Sequence, residues 1–191
     1  MSRSSLLRSV AAAAVGAAFA IAPGSVATYA AEMTVNVGGS PMYPSKNIIE
    51  NAVNSKDHTT LVAAVKAAGL VDTLEGAGPF TVFAPTNEAF AALPAGTVDG
   101  LLKPENKAQL IKVLTYHVVS GRVSAADMMA ATMGGKTLTL TTVEGDKLTV
   151  ENKGGHLWVV GADGNAAEIT IADVNQSNGV IQVINKVLLP A

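Results

Sequence analysis

The apolar residues in the first half of the chain recur every three or four positions, as they do along one face of a helix. Those that follow this spacing are Ile48, Ile49, Ala52, Val53, Leu61, Val62, Val65 and Ala68. Two helices are therefore predicted, one in "NIIENAVNS" and one in "TTLVAAVKAAGLVDTL". Thr59 or Thr60 can cap the second helix, and Gly69 is expected to end it.

A strand and a helix meet within "FTVFAPTNEAFAALP". Aromatic and β-branched residues predict a short buried strand over residues 80–84. Pro85 has no amide hydrogen and is expected to end strand pairing, and Thr86 or Asn87 supplies a capping oxygen for the helix that follows. Phe90 then turns this helix back toward the core.

The second half of the chain alternates apolar and polar residues with a period of two, which is typical of half-exposed strands. Leu138 and Leu140 alternate with threonines, and Leu148 and Val150 follow the same rule. The turn sequences "EGD", "KGGH", "ADGNA" and "SNG" separate these strands.

The last run, "GVIQVINKVLLP", is apolar on both faces apart from Gln182, Asn185 and Lys186, and it predicts a strand in the middle of the structure. Helices first and strands second predict an α+β domain whose helices cover one side of a largely antiparallel sheet.

The N-terminal segment has the three parts of a secretory signal peptide. Two arginines precede an apolar run over 10–22, "PG" breaks the run, and small residues follow. The run is too short to span a bilayer. We expect residues 1–30 to be the signal peptide, 31–44 an N-terminal tail and 45–191 the domain, with cleavage after Ala30 or another nearby alanine. The mature chain is then secreted, to the periplasm or beyond it, with no integral membrane segment.

Composition excludes several classes of function. The 191 residues are 49% hydrophobic and 15% charged, which suits one compact domain that folds as a monomer. The chain has no cysteine, so disulfide scaffolds, thiolate metal sites and cysteine nucleophiles are excluded. Its formal net charge is -2, and no segment supplies the clustered basic face that binding to nucleic acid needs.

Catalytic and metal chemistry has little support in the sequence. His58 is expected in solvent beside a helix cap, and His156 is expected in a turn or at the start of a strand. No H-x-x-H, H-E-x-x-H or G-x-S-x-G spacing occurs. The methionines expected to fill the core, rather than bind a soft metal ion, are Met128, Met129 and Met133. We therefore expect that the protein is not an enzyme and that it has no cofactor and no metal site.

His117 is expected to have a structural role. It ends the helix predicted in "PENKAQLIKVLTYHVV" and leads into two valines, so its ring is placed at a buried junction between helix and sheet. A buried imidazole is expected to be neutral and hydrogen-bonded, with its pKa below the usual value of about 6.5.

Three segments resemble, in order and spacing, the hallmark segments of the fasciclin (FAS1) domain. They are "TLVAAVKAAGLVDTLEGAGPFTVFAPTNEAFAALP", the Tyr116-His117 pair in "LTYHVV", and "SNGVIQVINKVLLP". The resemblance covers 44–191 and looks most like single-domain secreted fasciclin proteins of bacteria. It implies a wedge-shaped β-sandwich of about seven strands with helices packed along one edge. The residues that it marks as structural are Pro85, Thr86, Asn87, Phe90, His117, Asn178 and Gly179.

The resemblance also implies a function, since fasciclin domains are associated with cell adhesion and extracellular protein interaction. In animal members an Asp-Ile pair before the last segment has been proposed to contact integrins, and the matching residues here are Asp173 and Val174. The residue matching Tyr116 has also been linked to adhesion. Asp173 could instead accept backbone amide hydrogens in the turn that follows, and the Tyr116 hydroxyl could be held inside the fold.

We therefore expect a secreted binding module that attaches cells to one another, to a matrix or to a host surface through protein or glycan contacts. The alternative is an exported polysaccharide hydrolase, which would need two carboxylates about 5 to 9.5 Å apart in a pocket. A third possibility, a carrier of small ligands, would require a formed apolar cavity.

Overall fold

The computed structural model describes residues 34–190. The predicted signal peptide and its cleavage site lie outside the described residues. The helices are α1 (Ile48–Ala52), α2 (Thr59–Ala68), α3 (Val71–Glu75), α4 (Asn87–Ala91), α5 (Thr97–Leu101), α6 (Lys107–Tyr116) and α7 (Ala125–Ala131). The strands are β1 (Val35–Val37), β2 (Ser40–Met42), β3 (Phe80–Pro85), β4 (Val118–Ser120), β5 (Thr137–Thr141), β6 (Lys147–Lys153), β7 (His156–Val160), β8 (Ala166–Gln176) and β9 (Gly179–Ile184). Over residues 34–190, no helix has both the length and the apolar character needed to cross a membrane.

Seven of the strands form one sheet in the order β4-β3-β9-β8-β7-β6-β5. Neighbouring strands are antiparallel except β3 and β9, which run parallel with Phe80 opposite Gly179. A bridge between Val119 and Thr142 links the two outer strands, so the sheet nearly closes on itself. The predicted α+β class is confirmed, and β9, whose six residues are all buried, lies in the interior of the sheet as predicted.

Two apolar clusters hold the domain together. The first joins the helices to the sheet, and its buried members include Ile48, Leu61, Val65, Phe90, Leu114 and Ile181. The second receives side chains from all seven strands and includes Phe83, Tyr116, Leu148, Val159 and Ile184. Because successive residues of a strand point to opposite faces, β3 contributes Val82 and Ala84 to the first cluster and Phe83 to the second.

The ends of α2 and β3 test three predicted boundary signals. Gly69, with φ of 73°, ends α2 as predicted. Pro85 is the last residue of β3 and still pairs with a residue of β9, so pairing ends one residue later than expected. Neither Thr59 nor Thr60 caps α2 with its side chain. Instead, the Thr60 N–H donates to Asn87 Oδ1 at 3.0 Å, so the cap comes from a residue distant in sequence.

The predicted tail contains a β-hairpin. Strands β1 and β2 pair through a two-residue turn at Gly38 and Gly39, which have φ of 60° and 74°. Positive φ at both turn residues is what a type I′ hairpin requires. Val37 and Met42 are each 2% exposed and belong to the first cluster, so the hairpin is part of the folded domain.

Two of the three methionines in and beside helix α7 are more exposed than predicted. A capping box between Ser124 and Asp127 starts the helix. Met128 is fully buried as expected, but Met129 is 39% exposed and Met133, just after the helix, is 69% exposed. The core-filling role predicted for Met129 and Met133 is wrong, because α7 has only one face against the sheet.

Candidate functional site

The corner between β3 and α4 is held by Thr86 and Asn87. Thr86 Oγ1 accepts the Ala89 N–H at 3.3 Å and caps α4. Asn87 Oδ1 accepts the Thr60 N–H at 3.0 Å, and Asn87 Nδ2 donates to the Lys56 carbonyl at 2.8 Å. Both predicted capping oxygens are therefore used, each for a different helix.

Loss of the Asn87 side chain should destabilise the domain. We expect Asn87→Ala to lower the free energy of unfolding by about 1 to 2 kcal/mol, because the start of α2 loses its acceptor and the Lys56 carbonyl loses its donor. Asn87→Asp keeps the acceptor for Thr60 and should cost less. Denaturant titration measures both changes, and equal losses in the two variants would show that the cap on α2 contributes nothing.

The second hallmark segment places Tyr116 in the core. Tyr116 is fully buried, and its hydroxyl accepts the Ala162 N–H at 2.7 Å and donates to the Lys147 carbonyl at 3.3 Å. Burial raises the pKa of its hydroxyl above the usual 10.0, because the phenolate would lose its hydration. Val174 is 1% exposed. In this conformation neither Tyr116 nor Val174 presents its side chain to a partner.

His117 lies at the buried junction of helix and sheet where the sequence predicts it. Its ring is 3% exposed. The Leu188 N–H donates to Nε2 at 2.9 Å, so Nδ1 carries the proton and donates to the Val113 carbonyl at 2.8 Å. Burial lowers the pKa of His117 from 6.5 to about 4, and the bond to Val113 offsets part of this effect. Since backbone groups use both nitrogens, the ring has none left to act as a general base.

Asp173 lies at a bulge in β8. Its φ of 54° is the only positive value at a non-glycine residue in the described part of the chain. Asp173 Oδ1 accepts the Ala125 N–H at 2.7 Å and a Gln182 Nε2 hydrogen at 3.0 Å, while the Asp173 N–H donates to Gln182 Oε1 at 3.0 Å. The carboxylate therefore accepts an amide hydrogen from the start of α7, and not from the following turn as the structural alternative proposed.

The surface beside Asp173 is polar and well ordered by hydrogen bonds. Arg122 donates to Asn175 Oδ1 and to the Gln176 carbonyl, both at 2.9 Å. Asn175 Nδ2 donates to the Asp173 carbonyl at 3.1 Å. We call Asp173, Asn175 and Arg122 the β8 corner.

Sequence reasoning missed two residues of this site, Arg122 and Gln182. Gln182 is the one polar residue within the strand sequence "GVIQVI" and is fully buried. A single amide in an otherwise apolar strand needs internal partners, and this signal could have identified it. Arg122 lies 53 residues from Asn175, and nothing in the local sequence indicates their pairing.

The last hallmark segment joins three parts of the domain. Asn178 Nδ2 donates to the Leu74 carbonyl at 2.7 Å and to the Gly76 carbonyl at 3.0 Å, and Asn178 Oδ1 accepts the Ile48 N–H at 3.1 Å. Gly179 follows at the start of β9, against β3. Asn178 thus connects the start of α1 and the end of α3 to the central strand.

The other two histidines differ from each other. His156 begins β7 and lies at the surface, with Nδ1 2.8 Å from Glu168 Oε1. His58 is 3% exposed, so its predicted place in solvent is wrong. The ring Nδ1 lies 2.9 Å from the buried Ser55 Oγ, which also lies 3.3 Å from the Val37 carbonyl oxygen of the hairpin. No group of three or more metal-ligating side chains occurs within residues 34–190.

Comparison with known proteins decides the family. The model of the fasciclin domain matches residues 56–190. The chain belongs to the fasciclin family. Protein sll1483 of Synechocystis sp. is 51% identical over 143 residues, which are 75% of this chain and 73% of that protein. The cell surface glycolipoprotein MPB83 of Mycobacterium bovis is 35% identical over 169 residues, which are 86% of this chain and 70% of that protein.

A solved structure confirms the fasciclin fold. The FAS1 domain pair from the insect cell adhesion molecule Fasciclin I matches with a TM-score of 0.66 at 18% identity, over 77% of this chain and 52% of that chain. This chain therefore spans about half of the domain pair. The fasciclin family is known from cell adhesion proteins, and the names of these relatives refer to no catalytic activity.

Proposed function

We propose that this fasciclin domain is an exported binding module that attaches cells to another cell, a matrix or a host surface through protein or glycan contacts. The observation that supports this proposal is the β8 corner. It combines a carboxylate, an amide and a guanidinium at the surface, on a backbone that internal hydrogen bonds hold in place. Such pre-organised polar groups lose little conformational freedom when a partner binds.

One oxygen of Asp173 is available to a partner. The internal donors, Ala125 and Gln182, both bind Oδ1, and Oδ2 has no hydrogen-bond partner among the described residues. An ionised Oδ2 can accept charge-assisted hydrogen bonds from a protein or hydrogen bonds from sugar hydroxyls. The β8 corner therefore has a free hydrogen-bond acceptor that can bind either a protein or a glycan.

Export is the second part of the proposal. The arginines, apolar run and small residues of 1–30 support a signal peptide that is removed from the mature chain. The name of the glycolipoprotein relative, which places that protein at a cell surface, agrees with this interpretation. N-terminal sequencing of protein recovered from the producing cells tests it, and a start at residue 1 would contradict it.

Attachment should depend on the charge of Asp173. Beads coated with the full chain are expected to retain cells of the producing organism above the level of uncoated beads, since many copies on one bead add avidity. Asp173→Asn keeps the Oδ1 acceptor and tolerates the positive φ, so its melting temperature should stay close to that of the wild type. Its beads should retain about half as many cells or fewer, as expected from the loss of about 1 kcal/mol or more per contact.

Asp163→Asn is the matched control. Asp163 is an exposed aspartate in another turn, where it binds the N–H and the side chain of Asn165. Its variant should retain as many cells as the wild type. Equal retention by all three proteins would show that Asp173 is not part of the binding surface. If beads coated with the wild type bind neither cells, matrix nor host surfaces, the proposed function itself is overturned.

The hydrolase alternative needs two carboxylates in a pocket, and the names of the relatives refer to no hydrolase. Asp57 and Glu88 line one small polar pocket beside the start of α4, but both side chains are exposed to solvent. The buried histidines are His58 and His117, and both nitrogens of His117 are occupied by backbone groups.

Glu144 and Asp146 flank a glycine in the turn between β5 and β6, where the Asp146 carbonyl accepts the Thr142 N–H at 2.8 Å. This arrangement closes a hairpin.

A further inference from the structure

A small apolar cleft lies between the helices and the sheet, within the first apolar cluster. Its cavity volume is about 50 Å³. The walls come from the hairpin, α1, α2, the end of α6 and the strands β3 and β9, with residues such as Met42, Ile49, Val65 and Ile181. Val143, which is 44% exposed, lies on the same wall, so the cleft reaches the surface.

One polar atom in this wall is left without a partner. His58 lines the cleft and is 3% exposed, and its Nε2 has no hydrogen-bond partner within the described residues. The Ala84 backbone is near enough to favour a protonated ring but does not meet hydrogen-bond geometry. An unpaired buried polar atom costs free energy, and native folds rarely leave one. A ligand that bonded Nε2 would remove this cost.

The hydrogen bonds around His58 indicate which group would bind it. Nδ1 lies 2.9 Å from Ser55 Oγ, and Ser55 Oγ is also 3.3 Å from the Val37 carbonyl. If Ser55 donates to Val37, Nδ1 carries the ring proton and Nε2 accepts; if Ser55 donates to Nδ1, Nε2 carries the proton and donates. A hydroxyl can both donate and accept, so it complements either tautomer.

We propose that this cleft binds a small apolar molecule that carries a single hydroxyl, with the hydroxyl on His58 Nε2 and the apolar body along the cleft. Apolar burial supplies the affinity, and the lone polar contact sets the orientation of the ligand. Dry apolar cavities accept small rings such as benzene when about 150 Å³ is available. The cavity is smaller than this, so a ring-sized ligand must extend along the cleft toward Val143 and the surface.

Phenol and toluene test the proposal because they have nearly the same shape and differ by a hydroxyl in place of a methyl. Each is titrated into the isotope-labelled full chain, and binding is followed by the NMR signals of His58 and of the methyl groups of Val65 and Ile181. We expect saturable binding of phenol, with shifts in all three residues. Phenol should bind about fivefold more tightly than toluene, which is the effect of one net hydrogen bond.

Two variants complete the test. In His58→Phe, Ser55 can still donate to Val37, and the preference for phenol over toluene should disappear. His156→Phe changes a surface histidine outside the cleft and should leave the preference intact. The proposal is overturned if phenol does not saturate, if it shifts only surface residues, or if the wild type binds toluene as tightly as phenol. The last comparison needs no variant and holds even if His58→Phe does not fold.

Discussion

Gly179→Ala is expected to prevent stable folding. Gly179 begins β9, where a Cβ would overlap the Phe80 carbonyl oxygen of the neighbouring strand and would lie 3.0 Å from Ile48 Cδ1. The overlap with backbone cannot be relieved by a side-chain rotation, so β3 and β9 would have to separate at the centre of the sheet. We expect a loss of at least about 4 kcal/mol, which is a large fraction of the roughly 5 to 15 kcal/mol by which native domains are stable.

Gly100→Ala is the matched control for this prediction. Gly100 lies within α5 and has no positive φ. A Cβ at this position would have no other atom within 4 Å. Alanine there should leave stability unchanged or raise it by about 1 kcal/mol, since alanine favours helix. Circular dichroism and denaturant titration of the two variants provide the measurement. A cooperative transition for Gly179→Ala near that of the wild type would show that the contact between β3 and β9 is looser than described.

Much of the fold could be predicted because its signals are local. Helix α2 and strand β6 each show the spacing of their own structure, and Gly69 marks the end of α2. The hairpin was missed because its strands have three residues each, too few for a period of two to show. Helix α7 was missed because "AADMMAA" offers little contrast between apolar and polar positions.

The site residues were harder to predict because their roles depend on distant partners. Asp173 is bonded to Ala125, 48 residues away, and the turn beside it gave no sign of this contact. His58 looked solvated because it follows Lys56 and Asp57, yet the fold buries it through the contact with Ser55 and the packing of the hairpin. Local sequence thus identified these polar residues as notable, while tertiary contacts decided which of them face solvent.

The stability of the domain should fall in acid because of His117. Its pKa is about 4 in the folded state, against 6.5 for the free side chain, so between these values the unfolded chain binds a proton that the folded chain does not. The stabilising contribution is complete above pH of about 6.5, declines as the pH falls, and is lost near pH 4, a change of roughly 3 kcal/mol. His58, whose pKa burial also lowers, acts in the same direction.

His117→Ala separates this contribution from that of the other ionisable groups. At pH 7.5 the variant should be less stable than the wild type by about 1 to 3 kcal/mol, because the Leu188 N–H and the Val113 carbonyl lose their partner. The variant has no imidazole to protonate at this position, so the difference should shrink as the pH is lowered and vanish or reverse near pH 4.5. Denaturant titrations of both proteins from pH 7.5 to 4.5 give this difference, in which the titration of all other groups cancels. A difference between the two proteins that stays constant with pH would mean that the His117 ring binds a proton in the native domain as readily as in the unfolded chain.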